Sequence, residues 1–219
     1  MALFLVYGGT FDPIHCGHLA IARAARDALS CEVRLMPAGD PPHRAAPGAD
    51  ATQRAAMVAL AIAGESGLLL DRRELERRGR SYTVETLADL RAARGPAQPL
   101  AWLVGADSLL GLTSWHRWQD LFALAHLVVA ERPGSTLDAD LPPALADALQ
   151  ARWTGTPADL DTAPAGRVLR LRQPLYPVSA TDVRARAARG ASLQGLVPES
   201  VAAFIDEKGL YRTGSAASL

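Results

Sequence analysis

His15 and His18 are the residues whose type and spacing most directly suggest chemistry. Three positions apart at the start of a predicted helix, their imidazoles fall on one face and aim at one space. Gly17 lies between them and removes a side chain that would crowd that space. Just upstream, Gly8, Gly9 and Thr10 follow an apolar run, and two glycines let the backbone turn sharply and approach a ligand closely. Amides at such a turn, beside a helix N-terminus, suit an anion. A histidine pair placed this way can bind a metal, donate hydrogen bonds to phosphate, or act as acid and base. A zinc site needs at least a third ligand, for which His43 and Cys16 are candidates; the glycine turn tilts the reading towards phosphate.

Other chemistries are closed by what is missing. Lys208 is the only lysine, in Asp206-Glu207-Lys208-Gly209 at the end of a predicted C-terminal helix. A P-loop needs Gly-Lys-Ser/Thr, and a lysyl-adenylate or Schiff base needs a lysine in a pocket. Cys16 and Cys31 make neither a CxxC pair nor a disulfide framework, as expected of a cytoplasmic protein. The formal net charge is zero and no long basic run occurs, which argues against nucleic-acid binding. No apolar run is long enough to span a membrane, and residues 1–7 lack the basic flank of a signal peptide.

The elements that must position the histidines alternate between strand and helix. Residues 3–7 form a continuous apolar run, as a central parallel strand requires, and residues 17–29 follow as an Ala-rich helix. A strand over 32–36 ends at Pro37, and Pro41, Pro42 and Pro47 make the next stretch a loop. Asp50 with Gln53 predicts a capping box opening a helix to about residue 63. Further strands are predicted over 68–71, within 99–105, and over 126–130 and 167–171. Helices are predicted over 83–94, where Gly95-Pro96 stops the element, and near 181–189 and 198–208.

Residues 133–166 are rich in Pro, Ala, Asp and Gly, with a helix suggested only over 141–152. They read as a surface insertion, removable without loss of chemistry. The predicted fold is α/β: a Rossmann-like, doubly wound parallel sheet with helices on both faces. It spans residues 1–212 as a single domain with a small C-terminal helical part over 180–212, and 213–219 read as a flexible tail. Ligands in such sheets sit at the carboxyl ends of the strands, near the point where strand order reverses.

At this point the chain resembles a known family. Gly8-Gly9-Thr10-Phe11-Asp12-Pro13-Ile14-His15-Cys16-Gly17-His18 is similar to the GGTFDPxHxGH segment of nicotinate-nucleotide adenylyltransferases, in the HxGH nucleotidyltransferase superfamily. Pro41-Pro42-His43-Arg44 resembles the family's KPPHK loop, and Arg80-Ser81-Tyr82-Thr83 its RxSYT segment. Gly105-Ala106-Asp107-Ser108-Leu109 with Trp115 resembles its GADxL…W stretch. Arg132-Pro133-Gly134, residues 178–184, and Leu196-Val197-Pro198 through Gly209-Leu210-Tyr211 resemble RPG, ISSTxIR and LVP…GLY. The likeness covers nearly all of residues 3–212 outside the insertion.

The resemblance implies transfer of the adenylyl group of ATP to nicotinate mononucleotide, with Mg²⁺ present and no covalent intermediate. It implies His18 on the reacting α-phosphate, His15 on the ATP phosphates, and Gly8, Gly9 and Thr10 around them. Ser179 and Arg184 would meet the triphosphate, Trp115 would stack on the nicotinate ring, and Thr83, with Tyr82 beside it, would receive the ring carboxylate. His43 would lie near the substrate phosphates, and Gly105 and Asp107 in the ribose region. The partners implied are ATP and nicotinate mononucleotide, for a monomer or small homo-oligomer; no resident metal is implied. The family's lysines at the ends of KPPHK are Asp40 and Arg44 here, and the second serine of ISST is Ala180, so no role is given to Asp40. The competing readings are nicotinamide mononucleotide as acceptor, a metal-dependent hydrolase built on His15, His18 and His43, and a non-catalytic nucleotide sensor.

Overall fold

The N-terminal apolar run forms β1 (Phe4–Gly9), whose side chains alternate between two cores. Leu5 and Tyr7 enter one and Phe4 and Val6 the other, because successive residues of a strand point to opposite faces. A strand covered on both faces needs helices on both, and the computed structural model supplies them; it describes residues 2–39, 48–77, 79–131, 137–173 and 176–212.

After β1 come α1 (Cys16–Leu29), β2 (Val33–Pro37), α2 (Ala51–Ala61), β3 (Leu68–Leu70), α3 (Arg73–Glu76) and α4 (Thr83–Arg94). Then follow β4 (Leu100–Gly105), α5 (Ala106–Leu110), α6 (Leu121–Leu124), β5 (His126–Glu131), α7 (Leu137–Asp140) and α8 (Pro143–Leu149). The chain continues through β6 (Trp153–Thr154), β7 (Val168–Arg172), α9 (Ala180–Ala188) and α10 (Glu199–Glu207). All strand pairings are parallel, in the order β3-β2-β1-β4-β5-β7-β6. Strand order reverses between β1 and β4, so a crevice opens at their carboxyl ends, beside Gly9 and Gly105.

One core takes Leu19 of α1, Met57 and Val58 of α2, Val183 of α9, and Val201 and Ile205 of α10. The other takes Leu87 and Leu90 of α4, Leu121 of α6 and Leu149 of α8. The doubly wound sheet expected from the alternating pattern is therefore the fold. The capping box also forms: Asp50 accepts from the Gln53 amide at 2.8 Å, and Gln53 accepts from the Asp50 amide at 2.9 Å.

The segment read as a surface insertion is different in the structure. Among its described residues, Leu137, Leu145, Leu149 and Leu160 are buried, and β6 extends the sheet beyond β7. Leu137 sits in α7, and Leu145 and Leu149, four residues apart, lie on the buried face of α8, a spacing that the Pro and Ala content obscured. Excision of residues 141–164 is expected to leave no cooperatively folding protein, measured by thermal denaturation. A deletion variant that melts cooperatively near the native temperature would restore the insertion reading.

His126 closes the start of β5 from within. It is fully buried; its Nδ1 accepts from the Arg167 amide at 3.0 Å, and its Nε2 lies 2.8 Å from the Ala163 carbonyl. Burial pushes its pKa below the ordinary 6.5. The unfolded chain therefore binds a proton that the folded chain refuses, and stability falls as pH drops below 6.5. Between about pH 7.5 and pH 5.5 the native protein should lose more melting temperature than His126→Gln, and equal slopes would contradict this.

Candidate active site

The histidine pair is built into the start of α1. His15 is its N-cap: its Nδ1 accepts from the His18 amide at 3.3 Å, while His18 Nδ1 accepts from the His15 amide at 3.3 Å. The two rings stack with centroids 3.7 Å apart. A ring nitrogen that accepts carries no proton, so each neutral imidazole holds its proton on Nε2. Gly17 permits this arrangement, since a β-carbon there would lie 3.1 Å from the His15 ring and from Val178.

Gly8 and Gly9 serve differently from the turn expected of them. Both belong to β1 and neither has positive φ; the turn comes at Phe11, with φ of 49°. A β-carbon at Gly8 would lie 2.1 Å from Trp102 Cζ2, and one at Gly9 would lie 2.9 Å from the Phe11 ring. The missing side chains are thus filled by aromatic rings, which bring the strand end close to both walls of the crevice.

A cavity of about 670 Å³ lies against this strand end, lined by Gly8 through Asp12, His15, His18, Gly105, Asp107, Ser179 and Arg184, among others. Ser179 caps α9, accepting from the Asp182 amide at 3.1 Å, and still faces the cavity. Arg184 donates from Nη1 to the Asp12 carbonyl at 2.7 Å and from Nη2 to Thr181 Oγ1 at 3.3 Å, which fixes its fork beside the histidines. Asp107 is exposed in the first turn of α5 and caps nothing. Two helix N-termini, two imidazoles and a guanidinium around one polar cavity make a site for a polyphosphate.

A second cavity of about 210 Å³ adjoins the first and shares Gly8, Gly9, Thr10 and Ser108 with it. Its other walls include Glu74, Ser81, Thr83, Trp102 and Trp115. Thr83 opens α4, whose N-cap residue Tyr82 makes no side-chain cap bond, so the first amides of α4 can serve a ligand. Burial raises the Glu74 carboxyl pKa above its ordinary value, although the Thr86 hydroxyl donates to it at 2.7 Å. Trp115, half-buried against the α4-side core, presents a flat aromatic surface to this space.

Comparison with known proteins agrees with this geometry. A cytidylyltransferase-like family model matches residues 6–186. A relative from Stenotrophomonas maltophilia, named "probable nicotinate-nucleotide adenylyltransferase", is 58% identical over 218 residues, covering 97% of this chain and 98% of its own. Relatives of the same name from Laribacter hongkongensis and Xylella fastidiosa are 51% and 46% identical, with at least 96% of both chains covered. The chain belongs to the nicotinate-nucleotide adenylyltransferase family. Its fold is that of the Plasmodium falciparum nicotinic acid mononucleotide adenylyltransferase complexed with NaAD, at TM-score 0.72 and 14% identity over 96% of this chain and 98% of that one.

Most residues that the adenylyltransferase motifs single out come together here. Gly8, Gly9, Thr10, His15, His18, Gly105, Asp107, Ser179 and Arg184 line the first cavity, and Thr83 and Trp115 the second. Tyr82 lines neither; its ring packs on His116 with centroids 4.6 Å apart. His43, Asp40, Arg44 and Arg132-Pro133-Gly134 all lie outside the described residues.

Sequence reasoning missed the hub at Asp12. It is buried, and its carboxylate accepts from the Gly48 amide at 2.8 Å, the Ala49 amide at 3.1 Å and the Tyr211 hydroxyl at 2.7 Å. Burial first, and then the bond to Asp12, push the Tyr211 pKa up, so the phenol remains a donor. Its partners are two backbone amides and a residue near the other end of the chain, which no local pattern reveals.

Proposed function

We propose that the chain transfers the adenylyl group of ATP to nicotinate mononucleotide, giving deamido-NAD and pyrophosphate for NAD biosynthesis. The observation that carries this reading is the pair of cavities meeting at Gly8–Thr10, one lined by His15, His18 and Arg184, the other by Thr83 and Trp115. Donor and acceptor phosphates then meet at one strand end. An oxygen of the acceptor phosphate attacks the α-phosphorus in line. The new P–O bond forms as the α–β bridge breaks, and its electron pair leaves with pyrophosphate.

No side chain needs to bond covalently, so catalysis is positioning plus stabilisation of the charge that builds on the transferring phosphate. In this reading His18 donates to the α-phosphate, His15 to the outer phosphates, and Thr10 helps hold the former. Ser179 and Arg184 receive the triphosphate at the N-terminus of α9, where the guanidinium provides a fork of donors. Trp115 stacks on the nicotinate ring, and Thr83 with the first amides of α4 takes its carboxylate. Gly105 and Asp107 lie with the ribose.

Mg²⁺ bound to ATP would supply neutralisation of the phosphate charge. Among the described cavity residues, the exposed Asp107 carboxylate would be the side chain available to a phosphate-bound Mg²⁺. We place the enzyme in the cytoplasm, as a monomer or small homo-oligomer. The unpaired Cys16 and Cys31 support a reducing compartment, and no helix among the described residues is long and apolar enough to cross a membrane.

The test is pyrophosphate release from ATP with nicotinate mononucleotide and nicotinamide mononucleotide run side by side. Faster release with the acid is expected. No release with either overturns the reaction, and faster release with the amide overturns the acceptor.

A further inference from the structure

Arg54, on α2, heads the fully buried side chains by volume and is 1% exposed. Burying a guanidinium costs free energy unless its charge is paired and its donors are met. Among the described residues its donors meet backbone oxygen: Nη1 donates to the Thr10 carbonyl at 2.8 Å and Nη2 to the Gly39 carbonyl at 3.0 Å. Its Nε has no partner among the described residues. Burial lowers its pKa, and Asp12, Tyr211, Asp50 and Glu74 oppose this only through longer-range attraction. The two carbonyls account for two of its donors but not for a buried positive charge, which a neutral donor would have spared the fold. A reason for the cation has to be sought in the site.

One of the two carbonyls belongs to a residue of the cavities, and the other to a residue packed behind the acceptor wall. Thr10 lines both of them. Gly39 is pressed against the acceptor wall, where a β-carbon would lie 2.5 Å from the Glu74 carbonyl and 2.7 Å from Ser81 Oγ. The guanidinium thus ties the strand end beneath the phosphates to the wall of the acceptor cavity. Because a trans peptide is planar, drawing the Thr10 carbonyl onto Arg54 turns the Phe11 N–H to the opposite side. A lysine, with a single compact charge, lacks the planar fork that spans two such acceptors.

We propose that Arg54 is a positioning residue for adenylyl transfer, fixing the Thr10 and Gly39 carbonyls together and placing a positive charge behind the strand end where the transferring phosphate gains negative charge. The proposal rests on the reaction assigned above. Arg54 touches neither substrate, and its effect passes through the Thr10 backbone and through the field of its charge.

The test compares wild type, Arg54→Lys and Arg54→Gln by melting temperature, by KM for ATP and nicotinate mononucleotide, and by kcat per folded molecule. Both KM values should stay within about threefold, while kcat falls on the order of 10-fold in Arg54→Lys and more in Arg54→Gln. A purely structural role would lower the folded fraction and leave turnover per folded molecule unchanged. Native turnover per folded molecule in Arg54→Lys or in folded Arg54→Gln overturns the proposal, as does a loss confined to KM. If Arg54→Gln does not fold, Arg54→Lys alone decides. Wild type run alongside separates the failures: an inactive wild type refutes the reaction assignment, whereas an active wild type with unaffected variants refutes the role of Arg54.

Discussion

His18→Ala should lower turnover on the order of 10²-fold or more, the scale of losing one hydrogen-bond donor aimed at charge that develops in the transition state. The geometry also predicts what else the substitution removes. His18 Nδ1 accepts the His15 amide, so one bond at the start of α1 is lost with the ring. A lost helix cap costs about 0.5–2 kcal/mol, a small part of the stability of a domain this size. The variant should therefore remain folded at assay temperature, and the loss should lie in kcat far more than in melting temperature. His18→Asn, which keeps a short side chain able to cap, should recover melting temperature and leave turnover low. Turnover of His18→Ala within a few-fold of wild type would remove His18 from the chemistry.

Asp12→Ala should be the most damaging single change to stability near the site. It leaves the Gly48 and Ala49 amides and the Tyr211 hydroxyl without their acceptor. A buried donor left unmet costs about 1–3 kcal/mol, and the exposed Gly48 can turn to water, so a total of about 3–5 kcal/mol is expected. In a domain of this length each kcal/mol lowers the melting temperature by roughly 2–4 °C. Activity should fall as well, on the order of 10-fold or more, because Arg184 is held by the Asp12 carbonyl at 2.7 Å and moves with that turn. Asp12→Asn retains one acceptor oxygen and should be intermediate in both measurements. A melting temperature unchanged in Asp12→Ala would show that the hub contributes nothing.

Where the sequence was legible, the signal was local. The end of α4 follows from Gly95-Pro96, and the start of α2 from Asp50 and Gln53, because caps and breakers act within one turn. The histidine pair was legible for the same reason, being an i, i+3 relation at a helix start. Arg54 was invisible, since its partners are carbonyls and every residue type has one. Tyr82 shows the converse: a motif tyrosine adjoining the acceptor cavity spends its ring on His116 instead. Within residues 133–166 the composition hides a buried face, because Pro and Ala dominate the count while a few leucines do the packing. Leu137, Leu145 and Leu149, with Leu160, are buried there beside the edge strand β6.

The bond between Asp12 and Tyr211 joins positions 199 residues apart. The turn beside the histidine pair is therefore finished only when the segment after α10 docks against it. A contact of such long sequence separation is entropically costly to close before the rest of the chain is in place. Formation of the phosphate-binding turn should thus accompany global folding rather than precede it.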